Sequence, residues 1–125
     1  MEALQIEQTD DCPRIILDQE GNSFEISGKS LPEDVVDFYQ PVLDWLNDYR
    51  RNPNPVTELN FKLIYFNTAS SKLILDILMI LEEMMEEGYD VRVKWHSLKS
   101  DEDMQEAGRE YEEMIDVPFE HNTYE

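Results

Sequence analysis

The residues best suited to chemistry in this chain are the hydroxyl side chains of Asn67-Thr68-Ala69-Ser70-Ser71. This segment follows an apolar run that ends at Phe66 and precedes the most apolar helical stretch, Lys72 to Glu87. A phosphate on a hydroxyl at a helix start is stabilised by outward N–H groups and by the positive end of the helix dipole. The candidate acceptors are Thr68, Ser70 and Ser71, which lie within one helical turn, and their spacing alone does not choose among them. Asn, Thr and Ser also start helices for purely structural reasons, and the spacing alone favours this capping role over a modification site.

A second feature of the same helix is a pair of apolar residues on its polar side. At about 100° per residue, its core face spans roughly 160° and leaves out Leu75 and Met79. Both fall instead near Lys72 and several acidic residues, on the face that we expect to be exposed. Exposed apolar residues beside a modifiable helix start favour a protein-binding patch, with Asn67 and Lys72 at its edge. The alternative is that the first or the last helix covers the pair.

The sequence contains no recognisable catalytic or metal-binding motif. Two histidines, His96 and His121, and a single cysteine, Cys12, give no zinc-binding spacing, and no glycine-rich phosphate-binding loop occurs. Glu82-Glu83 and Glu86-Glu87 are typical of a solvated helix face. We therefore expect a protein that is not an enzyme and that has no metal site and no cofactor.

The net charge narrows the range of partners. The chain has 29 acidic and 10 basic residues, a formal charge of −19, which repels nucleic acid and anionic membrane surfaces. The longest apolar run, Leu73 to Leu81, is interrupted by Asp76 and is too short to span a bilayer. Residues 1–11 lack the basic and apolar regions of a signal peptide, so we expect a cytoplasmic protein. Its 125 residues fit one domain, residues 1–125.

The elements that position these residues follow from hydrophobic periodicity. Alternating or continuous apolar runs predict strands at Leu4–Glu7, Arg14–Asp18, Ser23–Ser27, Glu58–Phe66, Tyr89–His96 and Val117–Phe119. Apolar residues at helical spacing predict helices at Pro32–Arg50, Lys72–Glu87 and Asp101–Ile115. The order β-β-β-α-β-α-β-α-β predicts a single α/β domain, with helices packed on one mixed sheet.

Local signals set the expected ends of these elements. Ser30-Leu31-Pro32-Glu33 has the spacing of a capping box for the first helix, and Pro41 is expected to kink that helix. Gly88 fits the C-cap of the second helix, and Ser100 is expected to cap the third. The continuous run Ile64 to Phe66 is typical of a buried strand in the middle of a sheet.

The segment Leu63-Ile64-Tyr65-Phe66-Asn67-Thr68-Ala69-Ser70-Ser71-Lys72, followed by Asp76-Ile77-Leu78, closely resembles the SiaC family of bacterial regulatory phosphoproteins. Further similar segments are Pro32-Glu33, Val42-Leu43-Asp44-Trp45, Val91-Arg92-Val93-Lys94-Trp95 and Pro118-Phe119, so the resemblance covers nearly the whole chain. The family has a fold similar to the STAS domains of anti-sigma-factor antagonists. Ala69 stands where a serine is usual in the family, and Pro41 is a further departure from it.

The resemblance implies a partner-switching protein. It implies phosphorylation of Thr68 by a protein kinase related to anti-sigma-factor kinases, and dephosphorylation by a PP2C-type phosphatase. It also implies that the unphosphorylated form binds and activates a diguanylate cyclase, which promotes cyclic-di-GMP signalling, aggregation and biofilm formation. Two alternatives stay open: an anti-sigma-factor antagonist of the same fold, and an acidic protein that mimics nucleic acid, as the charge of −19 permits.

Overall fold

The computed structural model describes residues 1–125 as a six-stranded sheet and three helices. The strands are β1 (Leu4–Ile6), β2 (Arg14–Asp18), β3 (Ser23–Ser30), β4 (Val56–Phe66), β5 (Asp90–Leu98) and β6 (Phe119–Tyr124). The helices are α1 (Val35–Tyr49), α2 (Thr68–Glu86) and α3 (Glu102–Met114). The predicted α/β class and element order are confirmed.

The strands lie side by side in the order β1-β2-β3-β4-β5-β6. The first two pairs are antiparallel, and the three pairs from β3 to β6 are parallel. Because the parallel strands follow one another in chain order and such crossovers are right-handed, all three helices cover the same face of the sheet. The other face is left to solvent.

The core lies between this helical layer and the sheet. Strand residues at alternate positions point into it, including Leu59, Phe61, Leu63, Val93 and Trp95. The buried apolar side chains of α2 form nearly the whole predicted core face: Leu73, Ile74, Ile77, Leu78, Ile80, Leu81 and Met84. α2 ends at Glu86 with Glu87 as its C-cap, one residue before the predicted cap, and Gly88 follows with a φ of 101°, which suits glycine after a helix.

The open face of the sheet is covered by ion pairs between neighbouring strands. Glu25 on β3 is paired with Lys62 on β4 at 3.2 Å, and Lys94 on β5 is paired with Glu58 at 3.3 Å and with Glu120 at 3.5 Å. These contacts hold charges of both signs beside one another on adjacent strands. The strands therefore expose a mixed-charge face, and most of the excess negative charge lies in the helical layer and the loops.

The predicted start of α1 is wrong. Ser30 is the last residue of β3, and its buried hydroxyl faces the core. The helix begins at Val35, where Asp34 Oδ1 accepts a hydrogen bond of 3.0 Å from Asp37 N and so serves as the N-cap. The helix is continuous through Pro41 to Tyr49.

Other boundaries also differ from the prediction: α2 begins at Thr68 and not at Lys72, β4 begins at Val56, and β5 continues to Leu98. The cap of α3 is Asp101, whose Oδ1 accepts from Met104 N at 3.0 Å, and not Ser100. Val117 lies before the last strand, which runs from Phe119 to Tyr124 along β5. The strand β3 extends three residues beyond the predicted Ser27, because its parallel pairing with β4 continues to Ser30.

Candidate phosphorylation site and partner surface

Thr68 is the first residue of α2 and is exposed. Asn67 precedes it as the N-cap, and Asn67 Oδ1 accepts a hydrogen bond of 2.8 Å from Ser70 N. This cap leaves the N–H groups of Thr68 and Ala69 without an acceptor in the protein. No acidic residue lies in the first turn. The helix start therefore offers free donors and a positive dipole end beside an exposed hydroxyl, an environment that suits a phosphate.

Ser70 has a different environment from Thr68, although it lies only two residues away. Its side chain is fully buried, and its hydroxyl donates a hydrogen bond of 2.9 Å to the carbonyl oxygen of Ser30. Ser30 Oγ in turn donates to Ser70 Oγ at 2.9 Å, and the hydroxyl of Tyr39 lies 2.6 Å from Ser30 Oγ. A kinase cannot reach Ser70 Oγ without opening this contact.

The direction of each hydrogen bond in this buried group can be assigned. Ser70 uses its proton toward the Ser30 carbonyl, and Ser30 uses its proton toward Ser70, so Tyr39 must donate to Ser30. Burial raises the pKa of Tyr39 to about 12, so its hydroxyl keeps the proton that it donates to Ser30. Every buried side-chain polar atom in the protein has a partner.

Ser71 is half-buried on the side of α2 that faces α3. Its hydroxyl donates to the carbonyl oxygen of Thr68 at 2.6 Å, and its own carbonyl accepts a hydrogen bond of 2.9 Å from the hydroxyl of Tyr111 on α3. Of the three candidate acceptors, Thr68 is thus the one whose hydroxyl is exposed and makes no hydrogen bond within the protein.

Two apolar residues beside this helix start are exposed, contrary to the prediction of a buried run. Ile64 is 50% exposed and Tyr65 is 54% exposed. The parallel pairing explains this, because Gly28 pairs with Leu63 whereas Lys29 pairs with Tyr65, so Ile64 is an extra residue that forms a β-bulge. The bulge shifts the alternation by one and turns Tyr65 away from the core. Phe66 then points inward and packs against Trp95 and Tyr111.

The two apolar residues predicted to be exposed on α2, Leu75 and Met79, have different environments in the structure. Met79 is 46% exposed, as predicted, whereas Leu75 is half-buried and lines a groove between α2 and α3 with Tyr111 and Met114. Lys72 is exposed at the rim of the same groove, one turn after Thr68, and takes part in none of the ion pairs of the structure.

Sequence reasoning missed three residues of this surface: Ile64, Tyr65 and Met114. The alternation of β4 concealed the first two, since a bulge leaves no reliable trace in a run of apolar residues. Met114 has the spacing of an apolar stripe on α3, but it is 58% exposed at the end of that helix. No group of three or more His, Cys, Asp or Glu side chains is arranged to hold a metal ion. None of the helices is long and apolar enough to cross a membrane.

The chain has a mixed α/β fold that exposes a helix-start hydroxyl beside apolar side chains. The family follows from a family model described as "SiaC family regulatory phosphoprotein", which matches residues 6–124. The chain belongs to this family, as its sequence motifs indicate.

Individual relatives agree with this assignment. A protein of Pseudomonas aeruginosa strain UCBPP-PA14 is 32% identical over 119 residues, which cover 95% of this chain and 94% of the relative. The crystal structure of apo-SiaC from Pseudomonas aeruginosa is 30% identical, with a TM-score of 0.91 over 98% of this chain and 100% of that one. The crystal structure of the diguanylate cyclase SiaD with its activator SiaC, also from Pseudomonas aeruginosa, matches with a TM-score of 0.92 at 30% identity, over 97% of this chain and 99% of that one.

Proposed function

We propose that this protein is a partner-switching regulator whose unphosphorylated form binds and activates a diguanylate cyclase, and whose phosphorylated residue is Thr68. The observation that carries the proposal is that the Thr68 hydroxyl alone among the three candidates is exposed and unbonded, at a helix start that favours a phosphate. The structural match to SiaC, which is the activator of SiaD in their complex, supports the choice of partner.

The switch acts at an interface, without a change of fold. When Thr68 is unmodified, a partner packs against the helix start and its neighbours, for which Asn67, Lys72, Leu75 and Met79 are the contact candidates. A phosphate adds a charge of about −1.5 to −2 at this contact. Burying that charge without full pairing costs free energy, so the partner is released.

Two enzymes set the state of the switch in this proposal. A protein kinase related to anti-sigma-factor kinases adds the phosphate, and a PP2C-type phosphatase removes it. The protein itself acts by binding, in the cytoplasm, without catalysis or a cofactor.

The test is to purify the protein from its host in growing and in stationary cells and to locate phosphate by intact-mass and peptide mass spectrometry. We expect a phosphate on Thr68 in one state and its loss in the other. The variant Thr68→Ala should still activate the host's diguanylate cyclase, but kinase treatment should no longer switch this activity off. Ser71→Ala is the matched control and should respond to the kinase like the wild type. The proposal fails if Thr68 carries no phosphate in either state.

A further inference from the structure

Two shallow apolar grooves meet beside the start of α2. The first has a volume of 190 Å³ and lies between α2 and α3, where Leu75 and Met114 line it. The second has a volume of 170 Å³ and lies between the end of β4 and the start of α3, where Ile64 and Met104 line it. Phe66 and Ala107 line both grooves, so the grooves are adjacent, and we call the two together the trough.

The trough has the dimensions of a docking site for a helix. One wall is α3, along which the lining residues run from Met104 to Met114. This part of α3 is about 15 Å long, so roughly three turns of a partner helix can lie alongside it. The opposite wall is made by side chains of the β4 end and of α2, including Leu75. Apolar side chains on both walls suit the apolar stripe of an amphipathic helix.

The charges around the trough determine which residues can flank the apolar stripe of a docked helix. Residues 101–116, which include α3, contain eight carboxylates and one arginine. Asp101, Asp103 and Glu110 line the trough itself, whereas Lys72 is its one lining cation. A helix with Lys or Arg beside its apolar stripe is complementary to this rim, and an acidic helix is repelled.

We infer that the trough binds an amphipathic helix of the diguanylate cyclase, with an apolar stripe flanked by Lys and Arg. This inference rests on the proposed function and narrows its contact residues: Lys72 and Leu75 line the trough, whereas Met79 lies outside it. Thr68 lies one helical turn before Lys72, beside the trough. A phosphate on Thr68 therefore adds charge where the helix docks and draws Lys72 toward itself.

The first test compares two equally exposed apolar residues. Met114→Glu places a charge in the trough, and Val36→Glu places the same charge on α1, outside the trough. We expect Met114→Glu to weaken binding of the host's diguanylate cyclase at least tenfold and Val36→Glu to change it less than twofold. A similar effect of both changes, or a larger effect of Val36→Glu, overturns the inference. Thermal unfolding verifies that each variant is folded.

Hydrogen exchange of the unaltered protein gives a second measurement, independent of any variant. Bound cyclase should slow amide exchange in α3 between residues 104 and 114 and at residues 64–66, with little change at residues 77–80. Slowed exchange confined to residues 77–80 places the partner elsewhere and overturns the inference.

The charge of the partner is tested separately. Glu110→Lys reverses a charge on the rim, and Glu86→Lys makes the same change on α2, outside the residues that line the trough. We expect Glu110→Lys to weaken cyclase binding about three- to tenfold, and Glu86→Lys to have less than half that effect. Stronger binding by Glu110→Lys overturns the basic helix as the occupant.

Failure of the inference can be told apart from failure of the proposed function. If the unmodified protein binds no diguanylate cyclase, both fail. If it binds the cyclase and phosphorylation of Thr68 releases it, while Met114→Glu binds like the wild type, then the trough is wrong and the switch stands.

Discussion

Ser30 and Ser70 are hydrogen-bonded to each other twice, although 40 residues separate them. Ser30 Oγ donates to Ser70 Oγ at 2.9 Å, and Ser70 Oγ donates to the Ser30 carbonyl oxygen at 2.9 Å. The backbone N–H of Asn67 also donates to the Ser30 carbonyl oxygen, at 3.3 Å. These bonds fasten the first turn of α2 to the end of β3. The exposed Thr68 is consequently held at a fixed position on a rigid element, beside the sheet.

We predict that Ser70→Ala destabilises the protein and that Ser71→Ala does not. Removing the Ser70 hydroxyl leaves the buried donor of Ser30 and its carbonyl less well satisfied, which costs about 1–3 kcal/mol. The hydroxyl of Ser71 bonds near the surface, and its loss should change the free energy of unfolding by less than about 0.5 kcal/mol. Urea unfolding measures both. Equal stabilities of the two variants would show that the buried hydrogen bonds between Ser30 and Ser70 do not fix the helix start.

The features of the fold that the sequence predicts well are those set by periodicity over many residues. The core face of α2 and the alternation of β5 emerge as predicted, because burial on one side of an element selects apolar residues at a regular spacing. Thr68 was also found at the exposed start of a helix, since the polar segment before an apolar stretch marks that boundary.

The features that the sequence did not predict depend on contacts between distant segments. Ser30 fits a capping box locally, but its hydroxyl is bonded to Ser70 and Tyr39, which no spacing rule connects to it. The exposure of Tyr65 depends on one extra residue in the pairing of β4 with β3, which a pattern of apolar residues cannot reveal. The apolar surface beside Thr68 was therefore only partly predicted.

Gly108→Ala should disturb the packing of α3 on the sheet. A Cβ at this position would lie 2.5 Å from Trp95 Cδ1, well inside van der Waals contact. The overpacking costs about 1–3 kcal/mol, and the better helix propensity of alanine, about 1 kcal/mol, offsets only part of it. Chemical unfolding should show a loss of stability, and the tryptophan emission spectrum should shift. Glu106→Ala, on the exposed side of α3, is the control and should leave the spectrum unchanged.

His96 should make the stability of the protein depend on pH near neutrality. Burial, together with the neighbouring cations Lys62 and Lys94, lowers the pKa of His96 in the folded state. The unfolded chain, with a pKa of about 6.5, then takes up the proton first, so acidification favours unfolding. Between about pH 7.5 and pH 5.5 the unfolding free energy of the wild type should fall more than that of His96→Gln. Parallel pH profiles for the two proteins would contradict this prediction.

Lys72 should lower the second pKa of a phosphate on Thr68. The side chains at positions 68 and 72 are one turn apart on the same face of α2, so the ammonium group can approach the phosphate and stabilise its dianion. In the phosphorylated protein, a phosphorus NMR titration should give a pKa below the usual value of about 6 for a phosphothreonine. Lys72→Gln should raise that pKa toward the usual value. Arg51→Gln, which alters a cation at the far end of the helical layer, should leave it unchanged. If the pKa in Lys72→Gln equals that of the wild type, the free N–H groups of the helix start alone hold the phosphate, and Lys72 remains available to a bound partner.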